Sequence, residues 1–434
     1  MRRVRPARRV ELLAIERRRF AKAERRRRRL GGALKARAHE PPETFLSVYA
    51  NLAGFSPLQS KAARGHLHFP EVLSLIDNPE QTLRTLEDLA RMMLNPRCSR
   101  VRIDQSDSAQ IDHGAASIVN KMAMSASRSH GLSFEGRLPR DTDLAEIVVA
   151  TGLPRALGVP VHARFDRFLR FDLTSGRKAE PDPYQSTDFE RVSEEFGAYI
   201  DRCLRKYDCQ LTIEGMAHLV CLLTEVIENV ERHSGQEKWW IGGYLRQSSD
   251  DASGECYVCI FNLGRTIHQS LSSLPPDSLL RSDIESLIDS HRSKGMFGSS
   301  AWTEETLWTL YALQEGVSCR NVGATTLGTN GVGTVEMMEF FELLGGSDGS
   351  RPSKMCILSG ATHIVLDGTY RMAHKTTPDG QLRRVIAFND ENDLHRKPDK
   401  SCVRSLSKAF PGTAISIRFS LDRAYLKKLV TQND

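Results

Sequence analysis

The sequence predicts an α/β (α+β) fold made of a small strand–helix unit followed by a larger helix-covered sheet. Three observations carry that reading. Residues 219–235, LVCLLTEVIENVERHSG, place Leu219, Leu222, Leu223, Val226, Ile227 and Val230 on one stripe of an amphipathic helix. Two apolar, strand-like runs follow directly, at 237–245 and 255–261. Upstream, between residues 79 and 152, helical patterns alternate with short strand patterns, as a small α/β unit requires. At 434 residues the chain is long enough for two or three domains with substantial cores. Its 40% hydrophobic and 26% charged content is that of an ordinary globular protein. No run approaches the roughly 20 apolar residues of a membrane span. A soluble, cytoplasmic protein is expected.

The chain opens on a basic arm, residues 1–40. The net charge of +6 hides a division, because residues 1–38 carry 16 Lys/Arg against three Glu, and the remainder is net acidic. Leu12, Leu13, Ile15, Phe20 and Leu30 interrupt the arginine runs in a helical pattern that Gly31-Gly32 ends. Such an arm can grip nucleic-acid phosphates, an acidic partner or an anionic surface, or stay a solvated tail. No Ser or Thr precedes Thr44, which argues against an organelle transit peptide. The nine cysteines are odd in number and fall mostly in apolar patterns, as reduced thiols do. Cys256 and Cys259 form a CxxC, but on a strand they point to opposite faces, and no second ligand pair stands at zinc spacing.

Residues 41–69, with Pro41-Pro42, Pro57 and mixed short helices, read as a connector. A helix is expected over 81–94, a strand over 101–104 and a polar loop over 106–110. Asp112 opens a helix over 113–128; a strand at 132–135 and a helix over 142–152 complete the unit. Residues 70–175, through VRIDQSDSAQID, GLSFEG and TGLP, resemble a STAS domain, the fold of anti-sigma-factor antagonists. That family carries a phosphorylated Ser or Thr just after the Asp that opens the helix. Here His113, Gly114 and Ala115 follow Asp112, so the resemblance implies docking of a protein partner rather than a phospho-switch.

Residues 176–188, with Pro181 and Pro183, read as a linker, and a helix over 189–207 opens the larger unit. On the 219–235 helix, Glu225, Asn229 and His233 recur every four residues and form a second line beside the apolar stripe. A carboxylate and a carboxamide one turn apart can orient a water and hold a hydrated divalent ion such as Mg²⁺, which keeps several of its own waters. His233 reads as a cap or packing residue. After the second strand comes the sharp turn Asn262-Leu263-Gly264. Residues 268–326 form a long lid or insertion with helical patterns at 278–291 and 303–315. Arg292, Lys294 and Arg320 within it could reach a γ-phosphate, but read first as exposed surface charge. Next comes Gly328-Thr329-Asn330-Gly331-Val332-Gly333-Thr334, entering an apolar run at 335–344; glycines before a helix let backbone N–H groups approach phosphate oxygens. Strands are expected at 355–358, 363–366 and 414–419, the last after Phe410-Pro411-Gly412-Thr413, and 423–434 reads as a tail.

That order of motifs resembles the histidine-kinase-like (GHKL) ATP-binding domain, here over residues 189–422. The resemblance implies an α/β sandwich with a mixed sheet covered by helices, and ATP and Mg²⁺ as cofactors. It implies Glu225 as the water-orienting base and Asn229 as the Mg²⁺ ligand. Asn262 would take the adenine amino group, and Gly264 would make the turn beneath the base. Gly331, Gly333 and Thr334 would cradle the phosphates, and Thr413 would join the adenine contact. Asn262 stands where the family has Asp, giving an acceptor without the charge-assisted part of the bond. Thr266 stands where the family has a second glycine. The expected function is a regulatory ATPase that uses slow hydrolysis as a conformational switch. An anti-sigma-type serine kinase and a non-catalytic nucleotide-binding scaffold are the alternatives, and a homodimer is an open option.

Overall fold

The computed structural model describes residues 44–56, 64–156, 167–177, 187–233, 238–294, 302–317, 333–345, 353–376, 380 and 382–432. The basic arm and Gly331 lie outside them, as do Arg320 and the side chain of His233. The first unit runs α1 (Phe45–Ala53), β1 (Arg64–His68), β2 (Val72–Leu73), α2 (Pro79–Met93), β3 (Arg100–Asp104), β4 (Gln110–Ile111), α3 (His113–His130), β5 (Ser133–Arg137), α4 (Thr142–Ala150) and α5 (Leu153–Ala156). The second begins with β6 (Phe168–Arg177), α6 (Asp188–Arg205), α7 (Ile213–His233), β7 (Lys238–Gln247) and β8 (Ser253–Leu263). It continues with α8 (Ile267–Ser272), α9 (Leu279–Ser293), α10 (Glu304–Tyr311), α11 (Gly333–Gly345), β9 (Lys354–Leu366), β10 (Ala373–Thr376), β11 (Leu382–Val385), β12 (Val403–Asp422) and α12 (Arg423–Gln432).

The architecture is mixed α and β, as expected. Strands β1, β3 and β5 make a parallel sheet in that order, with α2 and α3 as the crossovers. Asn78, Pro79 and Glu80 start α2, with the proline at the first turn where its missing N–H costs nothing. Asp112 caps α3, its carboxylate accepting from Ala115 N at 2.7 Å. Helices α2 and α3 touch both the small sheet and the large one, so they form a layer between them.

The large sheet runs β6-β7-β8-β12-β9, and every described pair in it is antiparallel. The expected mixed sheet is therefore corrected. Strand β7 follows β6 through the two helices α6 and α7, and a helix pair returns the chain antiparallel where a single crossover helix would return it parallel. Strand β8 divides its residues with period two. Tyr257, Cys259 and Phe261 join the core formed with α1–α4, while Cys256, Val258 and Ile260 join the core under α6, α7 and α11. The two cysteines of the CxxC thus face opposite cores, as the strand reading requires.

Four boundaries differ from the sequence reading. The expected connector holds α1, whose Leu46 is fully buried and whose Phe45 ring meets Trp240 edge-on at 5.0 Å. Strand β6 crosses the expected 175/176 boundary and pairs with β7 on the edge of the large sheet. The two strands expected at 355–358 and 363–366 are one, β9, bent at Gly360 (φ +58°). The tail carries α12. In each case a short or polar segment is ordered by a partner distant in sequence, which local pattern does not reveal.

Two contacts lock the small unit to the large sheet, and a buried carboxylate braces the loop that makes them. Asp112 also accepts from Ser74 Oγ (2.7 Å), Leu75 N (2.5 Å) and Ile76 N (3.2 Å), tying the loop after β2 to the start of α3. Burial pushes its carboxyl up, against these donors, which favour the ionised form. Leu75 O accepts from His363 Nε2 at 2.8 Å across the unit boundary. Asp77 meets Lys354 Nζ at 2.9 Å and Arg418 Nη1 at 3.0 Å. No helix among the described residues is long and apolar enough to cross a membrane.

Candidate functional site

The last turns of α7, the end of β8, helix α8, the segment after α10, the start of α11 and strands β9 and β12 enclose a cavity of about 130 Å³. Four residues singled out from sequence line it: Asn229, Asn262, Thr334 and Thr413. They come from segments as far apart as residues 229 and 413. Val226 and Val230 flank Asn229 on the buried side of α7, so the apolar stripe that folds the helix also aims the carboxamide.

Asn262 is the most informative of these. It is buried, its Nδ2 donates to Leu263 O at 3.4 Å, and its Oδ1 has no hydrogen-bond partner among the described residues. An unpaired buried carbonyl oxygen costs about 1–3 kcal/mol, so it marks a place where a ligand donor would be welcome. Thr413 is its direct register partner on β12. Its Oγ1 lies 2.8 Å from Ser359 Oγ, which in turn accepts from Ile267 N at 2.9 Å. Ser359 was not among the sequence candidates, because a lone serine inside a strand carries no motif.

The backbone around this point is tight. A Cβ on Gly412 would lie 2.2 Å from Asn262 O, so only glycine lets β12 pass the end of β8. Gly264 has φ +125° and its N–H donates to Pro411 O at 3.0 Å, closing the turn. Thr266, where a glycine was expected, has φ −79° and caps α8. Its Oγ1 accepts from Gln269 N at 3.1 Å, and Gln269 Oε1 accepts from Thr266 N at 3.0 Å. The chain enters a short helix here instead of a second glycine turn, so the departure has a structural use.

The remaining expectations are met unevenly. Glu225 sits one turn before Asn229 on α7, half-buried, and is not among the residues lining the cavity. Gly333 begins α11 next to Thr334, and Gly331 lies outside the described residues. Gly264 lines a second cavity, of about 440 Å³, on the α1–α2 side of the turn. Glu87 holds Arg91 at 2.6 Å and Lys408 at 2.8 Å there, and Glu305 accepts from Ala361 N at 2.9 Å. Among the described lining residues of the first cavity, Arg265 is the one cation and none is a carboxylate.

The expected insertion is largely a packed subdomain in its described parts. Leu271, Leu280, Ile284, Ile288, Leu307 and Trp308 form their own core. Arg292 pairs with Asp289 and Glu304, and Lys294 Nζ donates to His395 O at 3.2 Å. Both are engaged away from the cavity, in keeping with their reading as surface charge. Ala312, Leu313 and Val317 after α10 supply one apolar wall of the cavity, a role that sequence pattern did not single out.

Comparison of the chain with protein-family models, with curated proteins and with solved structures finds no match.

Proposed function

We propose that this cavity binds the base of an adenine nucleotide, and that the chain is a Mg-ATP-binding regulatory protein of the GHKL type. The observation that carries the reading is the orphaned Oδ1 of buried Asn262, which lines one cavity with Thr413, Asn229 and Thr334. An exocyclic amino group would satisfy that oxygen. The apolar walls from Val226, Ile357, Leu313 and Ile415 suit a planar ring. Pockets that enclose a whole drug-sized ligand hold roughly 300–1,000 Å³, so the described walls fit the base and leave ribose and phosphates toward Asn229 and Thr334.

With no carboxylate among the described lining residues, Mg²⁺ would enter with the triphosphate and rest on the Asn229 amide oxygen. The ion supplies charge neutralisation at the phosphates. Thr334, at the start of α11, would place a hydroxyl near the same phosphates at a helix N-terminus, where anions are favoured.

The position of Glu225 favours a second reading of what binding does. A carboxylate beside the cavity lining but outside it suits a nucleotide-operated scaffold as well as a slow hydrolase, and the serine-kinase alternative shares the same site. Two variants separate these. Asn229→Ala should leave ATP affinity in EDTA near wild type and abolish the gain from Mg²⁺. Glu225→Ala should keep Mg-ATP binding, and if hydrolysis is the output it should remove turnover; wild-type protein that binds without turnover leaves the scaffold reading standing. The small parallel-sheet unit would then dock a protein partner, and the basic arm a nucleic acid or an acidic partner.

A further inference from the structure

The outward face of the small parallel sheet carries polar residues in register rows. Across β1, β3 and β5 the rows are Arg64, Arg100 and Ser133; His66, Arg102 and Glu135; and His68, Asp104 and Arg137. Val101 and Ile103 point the other way into the core, with Leu67 and Phe134 packed against it. Alternation on β1 therefore puts His66 and His68 side by side above the sheet, both exposed, with ring centroids 4.4 Å apart. Parallel register sets Asp104 beside His68.

One ligand atom from each of His66, His68 and Asp104 lies within 4.8 Å of the others. Asp104 is the anchored member. Its Oδ1 accepts from Ser106 N at 3.1 Å and from Ser106 Oγ at 2.7 Å. Such outer hydrogen bonds orient a metal-binding carboxylate. The two imidazoles are exposed and can close by side-chain rotation to the roughly 2.0–2.1 Å that Zn–N bonds need.

We propose that His66, His68 and Asp104 form a binding site for a divalent transition-metal ion of the Zn²⁺ class, distinct from the nucleotide cavity. Two imidazole nitrogens select against Mg²⁺ and Ca²⁺, which prefer oxygen ligands. Three protein ligands leave a fourth position for water. The same face supplies the opposing force. Arg137 Nη1 stands 3.7 Å from Asp104 Oδ2, and Arg102 stands across from His66. Metal binding must displace the Arg137 contact, so the site is tuned to moderate affinity and removing Arg137 should strengthen it. Glu135 is occupied by Arg100 at 2.8 Å and does not enter the ligand set.

The test is titration of the full-length protein with Zn²⁺, and with Co²⁺ as a spectroscopic probe. Wild type should take one Zn²⁺ equivalent that His66→Ala and His68→Ala each weaken by about tenfold or more. Arg137→Ala should tighten binding. Both histidines are exposed, so their variants should melt at the wild-type temperature and the loss can be read as loss of ligands. The Co²⁺ complex should show visible d–d bands without the near-ultraviolet band of thiolate ligation. Unchanged affinity in both histidine variants, a thiolate band, or no Zn²⁺ binding in wild type would overturn the proposal.

Discussion

Thr413 stands directly across the β8–β12 pair from Asn262, at the point where Gly412 brings the two strands too close for any side chain. The threonine hydroxyl is tied through Ser359 to the first amide of α8, while the asparagine oxygen is left unpaired. One residue of the facing pair is thus fixed and the other keeps an unused acceptor. Thr413→Val should remove the fixed side, leaving the buried Ser359 hydroxyl short of a partner at a cost of about 1 kcal/mol. Urea unfolding should register that loss, and nucleotide affinity should fall with it.

Gly412→Ala should be far more damaging. The new Cβ would meet Asn262 O and Leu263 Cα, both backbone atoms that cannot rotate away. Gly131, which closes α3 with φ +63° and open space around it, is the control, since Ala there pays only the left-handed backbone strain of about 1 kcal/mol. The expected order of urea midpoints is wild type, then Gly131→Ala, then Gly412→Ala. Equal losses would mean that the strand approach is not constraining.

Acid should weaken the fold in two stages. Burial lowers His113 to about 4 and His363 to about 3, so both are neutral in the fold. Unfolded, each takes up a proton below about pH 6.5. Their contribution is therefore complete above pH 6.5 and is lost as pH falls toward the folded values, by up to about 1.4 kcal/mol per unit for each histidine. Asp77, lowered by Lys354, Gln110 and Arg418 against the opposing effect of burial, adds its loss only in the carboxylate range below. Urea unfolding at pH 7, 5.5 and 4.5 should show the first stage, and His113→Phe should roughly halve its slope, leaving the His363 part, while keeping the edge-on contact with Tyr244.

Asp77 is the main ionic tie between the small unit and the large sheet. Asp77→Ala would leave Arg418, only 8% exposed, without its carboxylate. Stranding a largely buried charge of this kind should cost about 2 kcal/mol or more, discounted for the partial exposure of the partners. Replacing Arg418 as well, in Asp77→Ala/Arg418→Met, should recover part of that loss. A double variant no better than the single one would place the two residues outside a shared network.

How much of this was legible in the sequence follows from the range of the forces involved. Helices α2, α3, α6 and α7 were readable because their apolar stripes are local and long, and β7 and β8 because their runs are apolar on both faces. Strand β6 was not, because its half-buried residues are ordered only by pairing with β7. A short helix was expected among residues 41–69, but the place of α1 in the core was hidden, because its core contacts, Trp240 and Phe261, lie about two hundred residues away. In the cavity, Asn229, Asn262, Thr334 and Thr413 were visible because turns and a helix face punctuate the chain at those points. Ser359, Leu313 and Val317 carry no punctuation and are joined to the site only by folding. The role of Thr266 as a helix cap was overlooked although Thr266 and Gln269 form a recognisable capping box.

The measurement that bears most directly on the nucleotide-binding account is calorimetric titration of ATP, with Mg²⁺, into wild type and Asn262→Leu. Leucine keeps the branched outline of asparagine, with larger methyl ends, and removes the orphaned oxygen together with the Nδ2 donor, so a thermal melt is run beside the titration to show that the variant is folded. Wild type should bind in the micromolar range, and the variant should lose about 1–3 kcal/mol of affinity, roughly 5- to 150-fold. No binding by wild type at millimolar ATP, or equal affinity in the variant, would contradict the account.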